Sequence, residues 1–191
     1  MVLDSQRWKC VESVPPLLFS IEGLSAVRGR GGRAGWLTVA EGFVDAVRPR
    51  HLTLEDDVTL GYVLPPRVDL TPLLGSYVKL TLADEPVALG PRAQTLTITD
   101  EPGRTLLLAR FGEAGQAHVL GRSRVRTALS QRPDGPIAFG TDRLQYVVQI
   151  GEHVRIREPG GEFVLSFLAR TAYDYVAYVI VDRALWLSGR R

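Results

Sequence analysis

The sequence predicts a mainly β protein of antiparallel hairpins, arranged as a small barrel, a sandwich or both, with one or two short helices. Several segments alternate apolar and polar residues with the period of a half-buried strand. Proline, glycine and acidic residues cluster between these segments, as they do in tight turns. The longest apolar run, Tyr175–Val181, consists mostly of β-branched and aromatic residues, which favour strands over helices.

The strongest hairpin signal lies in the segment Glu152–Leu168. Val154 and Ile156 alternate with two arginines, and the turn Glu158–Gly161 supplies a proline followed by two glycines. Proline presets φ at the second turn position, and glycine tolerates positive φ at the third. A second turn of the same chemistry, Glu101–Arg104, predicts a further hairpin.

Residues 36–100 show a specific order of elements. Gly35–Val47 reads as a strand bent by a bulge near Gly42, although Trp36, Val39 and Phe43 also fit helical spacing. The segments that follow are predicted strands Arg50–Leu54 and Val58–Leu64, a capped helical turn Asp69–Leu74, and strands Tyr77–Leu82 and Leu96–Thr99. This order resembles the pattern of an OB-type small barrel, a resemblance to a fold pattern and not to a family.

Two further segments carry predictions in the second half of the chain. Tyr173–Leu187 has apolar residues on both strand faces, which predicts a central strand covered on two sides. Ala114–Gln131 is the best helix candidate, because Val125 and Leu129 share a helical face and Pro133 follows. Its glycines weaken the helix prediction, and a strand remains the alternative.

The domain prediction is an N-terminal extension followed by one β-rich domain. Residues 1–35 form the extension and contain a basic glycine- and arginine-rich loop, and residues 36–191 form the domain. Two packed subdomains, about 36–112 and 136–191, are the alternative. Either piece alone is short for an independent hydrophobic core, which favours close packing between them.

Composition excludes several classes of protein. The chain is 45% hydrophobic and 23% charged, with a net charge of +2, which excludes a disordered or collagen-like chain. The single cysteine, Cys10, excludes an internal disulfide and a multi-cysteine zinc site. The first residues lack the apolar stretch of a signal peptide, and no apolar run approaches a bilayer-spanning length. We therefore expect a cytoplasmic protein without a membrane partner.

No motif supplies catalytic machinery. His51, His118 and His153 lack partners at zinc-site spacing, and no nucleophile elbow or phosphate-binding loop is present. The acidic group Glu55–Asp57 falls at a predicted turn, where carboxylates are solvated. We expect no catalytic residue, metal ligand or cofactor, so the sequence favours a protein that is not an enzyme.

Arginine is the most unusual feature of the composition. Lys9 and Lys79 are the two lysines among 23 basic residues. Arginines also recur at alternate positions, which places them on one face of a strand about 6.5–7 Å apart. Such rows can follow an anionic backbone, or can be the wet faces of amphipathic strands. The candidate anion or nucleic-acid contacts are Arg28, Arg30, Arg33, Arg122, Arg124, Arg126, Arg155 and Arg157.

These observations favour a non-catalytic binding or assembly module that contacts a protein partner or another copy of itself. Exposed strand edges of the predicted fold offer one means of such pairing. The first alternative is an OB-like protein that binds single-stranded nucleic acid through its arginine rows. The second is an enzyme or small-ligand binder with a dispersed site.

Overall fold

The computed structural model describes residues 19–23, 29–31, 35–85, 92–130, 135–170 and 175–188. Two short 3-10 turns lie at Thr71–Leu73 and Arg183–Leu185. The strands are β1 (Phe19–Glu22), β2 (Gly29–Gly31), β3 (Gly35–Arg48), β4 (His51–Leu54), β5 (Thr59–Tyr62), β6 (Tyr77–Glu85), β7 (Ala93–Asp100), β8 (Thr105–Glu113), β9 (His118–Leu120), β10 (Ser123–Leu129), β11 (Ile137–Gly140), β12 (Gln145–Val148), β13 (His153–Glu158), β14 (Gly161–Arg170) and β15 (Tyr175–Asp182).

The strands form two antiparallel sheets. The large sheet has the order β1-β5-β4-β3-β6-β7-β8-β15-β14-β13, and β2 pairs with β3 beside this path. The small sheet has the order β12-β11-β10-β9. The mainly β, antiparallel prediction is confirmed, and both predicted turns connect hairpins, β7 to β8 and β13 to β14.

Strand β3 is bent, as one of the two interpretations of Gly35–Val47 required. It pairs with β6 from Trp36 to Phe43 and with β4 from Val44 to Arg48. The bulge lies between Val44 and Ala46, a few residues beyond the expected position. The helical interpretation of this segment is wrong, because its backbone groups are used in pairing with two neighbouring strands.

The described strands do not close into a barrel. The predicted order of strands and helical turn between β3 and β7 is present, but closure requires β5 and β7 to meet. Instead, β5 pairs with β1 and β7 pairs with β8, so both strands continue into the open sheet. Strand β8 then pairs with β15, which places the two candidate subdomain segments in one sheet.

Strand β15 is the central strand that its apolar pattern predicts. All of its residues are buried. Val179 and Val181 pack into a core cluster with strands β4 to β8, whereas Tyr178 and Ile180 pack into a second cluster with the small sheet. The small sheet therefore covers one face of the large sheet, and the chain around β4 and β5 covers the other.

The segment 114–130 forms strands, so the helix prediction there is wrong. Gly115 and Gly121 adopt φ of +90° and +61°, which interrupt any helix. Between them and beyond, β9 and β10 pair as a hairpin. Residues Ser123, Val125 and Thr127 are buried and alternate with exposed arginines, which is the period of a strand.

Candidate functional site

Among the described residues, the small sheet covers part of one face of the large sheet, and no second layer covers the rest of that face. Where β8, β15, β14 and β13 form that face, Leu108, Tyr178 and Phe167 are buried against the small sheet. The registers of β3, β6 and β7 continue the same face outward. We call this continuation the open face; its residues are Leu37, Val39, Glu41, Phe43, Tyr77, Lys79, Thr81, Ala83, Thr95, Thr97 and Thr99.

Large apolar side chains are exposed on the open face. Leu37, Val39 and Phe43 of β3 are 38%, 37% and 47% exposed. Phe43 meets Tyr77 edge to face, with ring centroids 5.2 Å apart, so the aromatic pair is held in one geometry. An apolar row of this kind on a sheet face marks an interaction surface more often than a scatter of single residues does.

Charges on the open face are balanced. Glu41 and Lys79 are cross-strand partners at its centre, and both are exposed. The threonines of β7 supply hydroxyl groups on the side that approaches β8. The open face thus combines three exposed apolar side chains of β3, a neutral pair of opposite charges on β3 and β6, and hydroxyl groups on β7.

The open face ends against a group we call the Arg110 cluster, made of Arg110, Thr95, Gln116 and His118. Arg110 is the cross-strand neighbour of Thr95 and is only 4% exposed. Its guanidinium donates to Thr95 Oγ1 at 2.7 Å and to the Glu113 carbonyl oxygen at 3.3 Å, and it also donates to Gln116 Oε1. Burial lowers the pKa of Arg110 from its ordinary value, although guanidinium remains charged.

His118 lies inside the same cluster. On β9 it faces the large sheet, and its Nε2 atom is buried without a hydrogen-bond partner in the part of the chain that the structure describes. Burial, followed by the charge of Arg110, lowers the pKa of His118 from 6.5 to about 4. His118 is therefore neutral at physiological pH. Burial also raises the pKa of Tyr178, the cross-strand neighbour of Arg110, to about 12.

The predicted arginine rows are formed but do not converge. Arg124 and Arg126 are exposed on the side of β10 that faces away from the large sheet, and Arg122 is exposed in the turn just before β10. Arg155 and Arg157 are exposed on β13, on the side opposite Ile156, which packs toward the small sheet. The two rows therefore point in different directions.

Acidic partners of these arginines are few. Among the described residues, none of the five forms an ion pair within 4.0 Å. The Arg124 backbone N–H donates to Asp142 Oδ2 at 3.0 Å, which brings one carboxylate to the start of the β10 row. Arg28, Arg33 and the side chain of Arg30 lie outside the described residues.

The sequence interpretation missed Arg110, although a signal for it exists. Thr105–Phe111 reads TLLLARF, and Arg110 is the only charged residue in that run. A single charge in an otherwise apolar strand that is buried on both faces must find internal partners. That property distinguishes Arg110 from the arginines of amphipathic strands, which alternate with apolar residues and face water.

No helix within the described ranges is long and apolar enough to cross a membrane. Those ranges also bring together no group of three or more His, Cys, Asp or Glu side chains suited to a metal ion. Comparison with protein-family models, curated proteins and solved structures found no match to this chain.

Proposed function

We propose that this protein is a non-catalytic assembly module that associates with a second copy of itself through the open face. The observation that carries the proposal is the contrast within one sheet face. The small sheet covers the face beyond β8, whereas no described strand covers it over β3, β6 and β7, where Leu37, Val39 and Phe43 are exposed. Covering such a row with protein removes apolar surface from water.

The shape of this face favours a second copy as the occupant. Packed sheets lie about 10 Å apart, so the small sheet stands about one layer above the open face. A copy rotated by 180° about an axis parallel to the sheets places its own open face at that height. Each copy then extends the layer that the small sheet of the other begins, in the self-complementary manner of a twofold interface.

Charge on the open face also favours a second copy. Glu41 and Lys79 occupy neighbouring positions at its centre. A twofold axis that runs parallel to the strands, midway between β3 and β6, places each Glu41 opposite the other copy's Lys79. An unrelated partner would need no such balance, whereas a face of one sign would repel its own copy.

The size of the open face indicates weak association. The open face extends from Leu37 to Phe43 along β3 and across three strands, so it spans roughly 20 Å by 15 Å. Stable protein interfaces bury about 800 Å² on each partner, which is more than this face alone provides. We expect a dimer that forms and dissociates with concentration, with a dissociation constant in the micromolar range or weaker.

Sedimentation velocity over a concentration series tests this proposal. The wild-type sedimentation coefficient should rise with concentration, and Phe43→Asp should abolish the rise by placing a charge in the apolar row. Val147→Asp is the matched control, because Val147 is 62% exposed on the small sheet, away from the open face. Circular dichroism establishes that both variants fold. A concentration-independent wild type, or equal behaviour of the two variants, contradicts the proposal.

A second candidate function is binding of single-stranded nucleic acid, as an OB-like protein would bind it. Three exposed arginines at alternate positions favour it: Arg122 in the turn before β10, and Arg124 and Arg126 on β10 itself. It requires affinity that falls steeply with salt and that decreases when all three become alanine. Absence of binding to oligonucleotides at low salt excludes it, and Arg155→Ala/Arg157→Ala provides the matched control on the other row.

A further inference from the structure

The Arg110 guanidinium is a buried charge held by neutral groups. Its hydrogen-bond acceptors are the Thr95 hydroxyl, the Glu113 carbonyl oxygen and the Gln116 amide oxygen. Within the described ranges, no carboxylate lies within ion-pair distance of it. A buried cation is most stable with an anionic partner, so neutral acceptors leave a favourable interaction unused.

The backbone keeps space for this guanidinium. A Cβ atom placed on Gly112 would lie 2.7 Å from Arg110 Nη2 and 2.9 Å from Cζ, closer than atoms in contact. Glycine at this position lets the arginine side chain lie flat across β8 with its nitrogens directed toward the β8–β9 turn. Gly112 thus leaves the space that the Arg110 guanidinium occupies.

His118 adds a second polar group without a partner. Its Nε2 atom is buried and unpaired among the described residues, and it lies near enough to Arg110 for the arginine charge to act on its ionisation. Unpaired buried nitrogen atoms are uncommon and costly in folded proteins. An oxyanion that reaches His118 would supply the acceptor that a protonated Nε2 lacks.

We propose that Arg110, His118 and Thr95 form a binding site for one oxyanion group, a carboxylate or a phosphate. The Gln116 amide oxygen takes the position of one anion oxygen, and Gln116 itself is exposed in the turn between β8 and β9. Rotation of that side chain admits the anion from solvent. The guanidinium then donates to it in the forked geometry that suits carboxylate and phosphate, and His118 donates from Nε2.

Arg110 is the positive charge of the proposed site, and the titratable groups around it besides His118 are acids and tyrosines. Glu85 and Glu113 act on Arg110 from a distance, and Tyr175 and Tyr178 are neutral at physiological pH. Arg110 is the charged group that donates directly to the Gln116 oxygen whose place the anion takes. Thr95 belongs both to this site and to the open face, whereas Leu37, Val39 and Phe43 make none of the site's polar contacts.

Thermal unfolding with added anions tests the site. Sodium phosphate and sodium acetate are compared with sodium chloride at equal ionic strength, in separate series. At least one oxyanion should raise the Tm above the chloride value, by about 3–5 °C for each tenfold increase beyond its Kd. The oxyanion that acts identifies the class of ligand. Equal Tm values in all three salts overturn the proposal.

Gln116→Glu provides the decisive variant, since it supplies the missing carboxylate from within the chain. We expect a higher Tm in chloride and loss of the response to either oxyanion. Gln145→Glu is the matched control, because Gln145 is exposed on the small sheet, and it should retain the response. A Gln116→Glu protein that is less stable than wild type, or that still responds to oxyanions, overturns the proposal.

NMR titration of the His118 imidazole measures a pKa at the site itself, which distinguishes anion binding there from a general effect of salt on stability. A bound oxyanion stabilises the imidazolium, so its pKa should rise when the oxyanion that raises the Tm is present. The exposed imidazole of His153 serves as the internal control. An equal response of both histidines overturns the proposal.

Discussion

The two halves of one sheet face differ in what they bury. Where β14 and β15 form the face, Phe167 and Tyr178 are fully buried under the small sheet. Where β3 and β6 form it, Phe43 and Tyr77 pack on each other and remain open to solvent. One half of this face is therefore part of a hydrophobic core, and the other half is an exposed apolar surface. The difference between them is that the small sheet covers the first half alone among the described residues.

The largest expected effect separates the two halves directly. Phe167→Ala removes a fully buried ring and should lower the free energy of unfolding by about 3–5 kcal/mol. Phe43→Ala, on the same face of the same sheet, should change it by less than about 1 kcal/mol. Urea unfolding at low protein concentration measures both. Comparable losses for the two variants would mean that the open face is not exposed in solution.

A smaller effect tests the boundary between the halves. Gly112→Ala places a methyl group against the Arg110 guanidinium and should lower the free energy of unfolding by about 1–3 kcal/mol, because the arginine must leave its acceptors. Gly42→Ala is the control, since a Cβ atom there meets Leu54 at an ordinary 3.6 Å. Chemical denaturation should therefore distinguish the two glycines, and equal effects would show that Arg110 is not fixed over Gly112.

The smallest effect is a pH dependence from His118. The pKa of His118 is about 4 in the folded chain and 6.5 ordinarily, so between these two pH values the unfolded chain binds a proton at His118 and the folded chain does not. The contribution of neutral His118 to the free energy of unfolding is fully present above about pH 6.5 and is lost as the pH falls toward 4. His118→Gln should remove on the order of 1–2 kcal/mol of this decrease, after allowance for partial solvation.

Urea unfolding of wild type and His118→Gln, in chloride buffers across this pH range, measures the difference between them. Carboxylates that titrate in the same range are common to both proteins and cancel in the comparison. A wild type that loses no more stability than the variant would place His118 in solvent.

The strand content could be predicted from the sequence because burial of one face leaves a period of two. In β6, Val78, Leu80 and Leu82 face the core and alternate with Lys79 and Thr81. Strand β15 lacks this alternation because both of its faces are covered, and its central position was predictable for that reason. The turns that contain an acidic residue, proline and glycine predicted the hairpins β7–β8 and β13–β14.

Two features could not be predicted because they depend on distant partners. Closure of the barrel depends on whether β5 and β7 meet, and both find other neighbours that no local pattern reveals. For β10, the spacing of Val125 and Leu129 fits a helix as well as it fits a strand. Pairing with β9 and β11 decides that the segment is a strand.

For the candidate sites too, local patterns could be predicted from the sequence, whereas features that depend on distant strands could not. Exposure of the arginines in β10 and β13 was predictable from their alternation with apolar residues. Their directions were not, because each depends on the face of its strand that meets the other sheet. Arg155 and Arg157 lie on an edge strand, where charged side chains oppose pairing with another chain. Self-association is therefore better served by the open face than by that edge.

The central claim, twofold association through the open face, is tested most directly by reversing its two central charges. Glu41→Lys and Lys79→Glu each place like charges opposite one another across the twofold axis, so each variant alone should remain monomeric in sedimentation velocity. An equimolar mixture should associate, because the two positive charges of the Glu41→Lys copy then oppose the two negative charges of the Lys79→Glu copy. Recovery of the dimer in the mixture alone is the result we expect. A mixture that sediments as its separate components, or single variants that associate like wild type, would contradict the twofold arrangement.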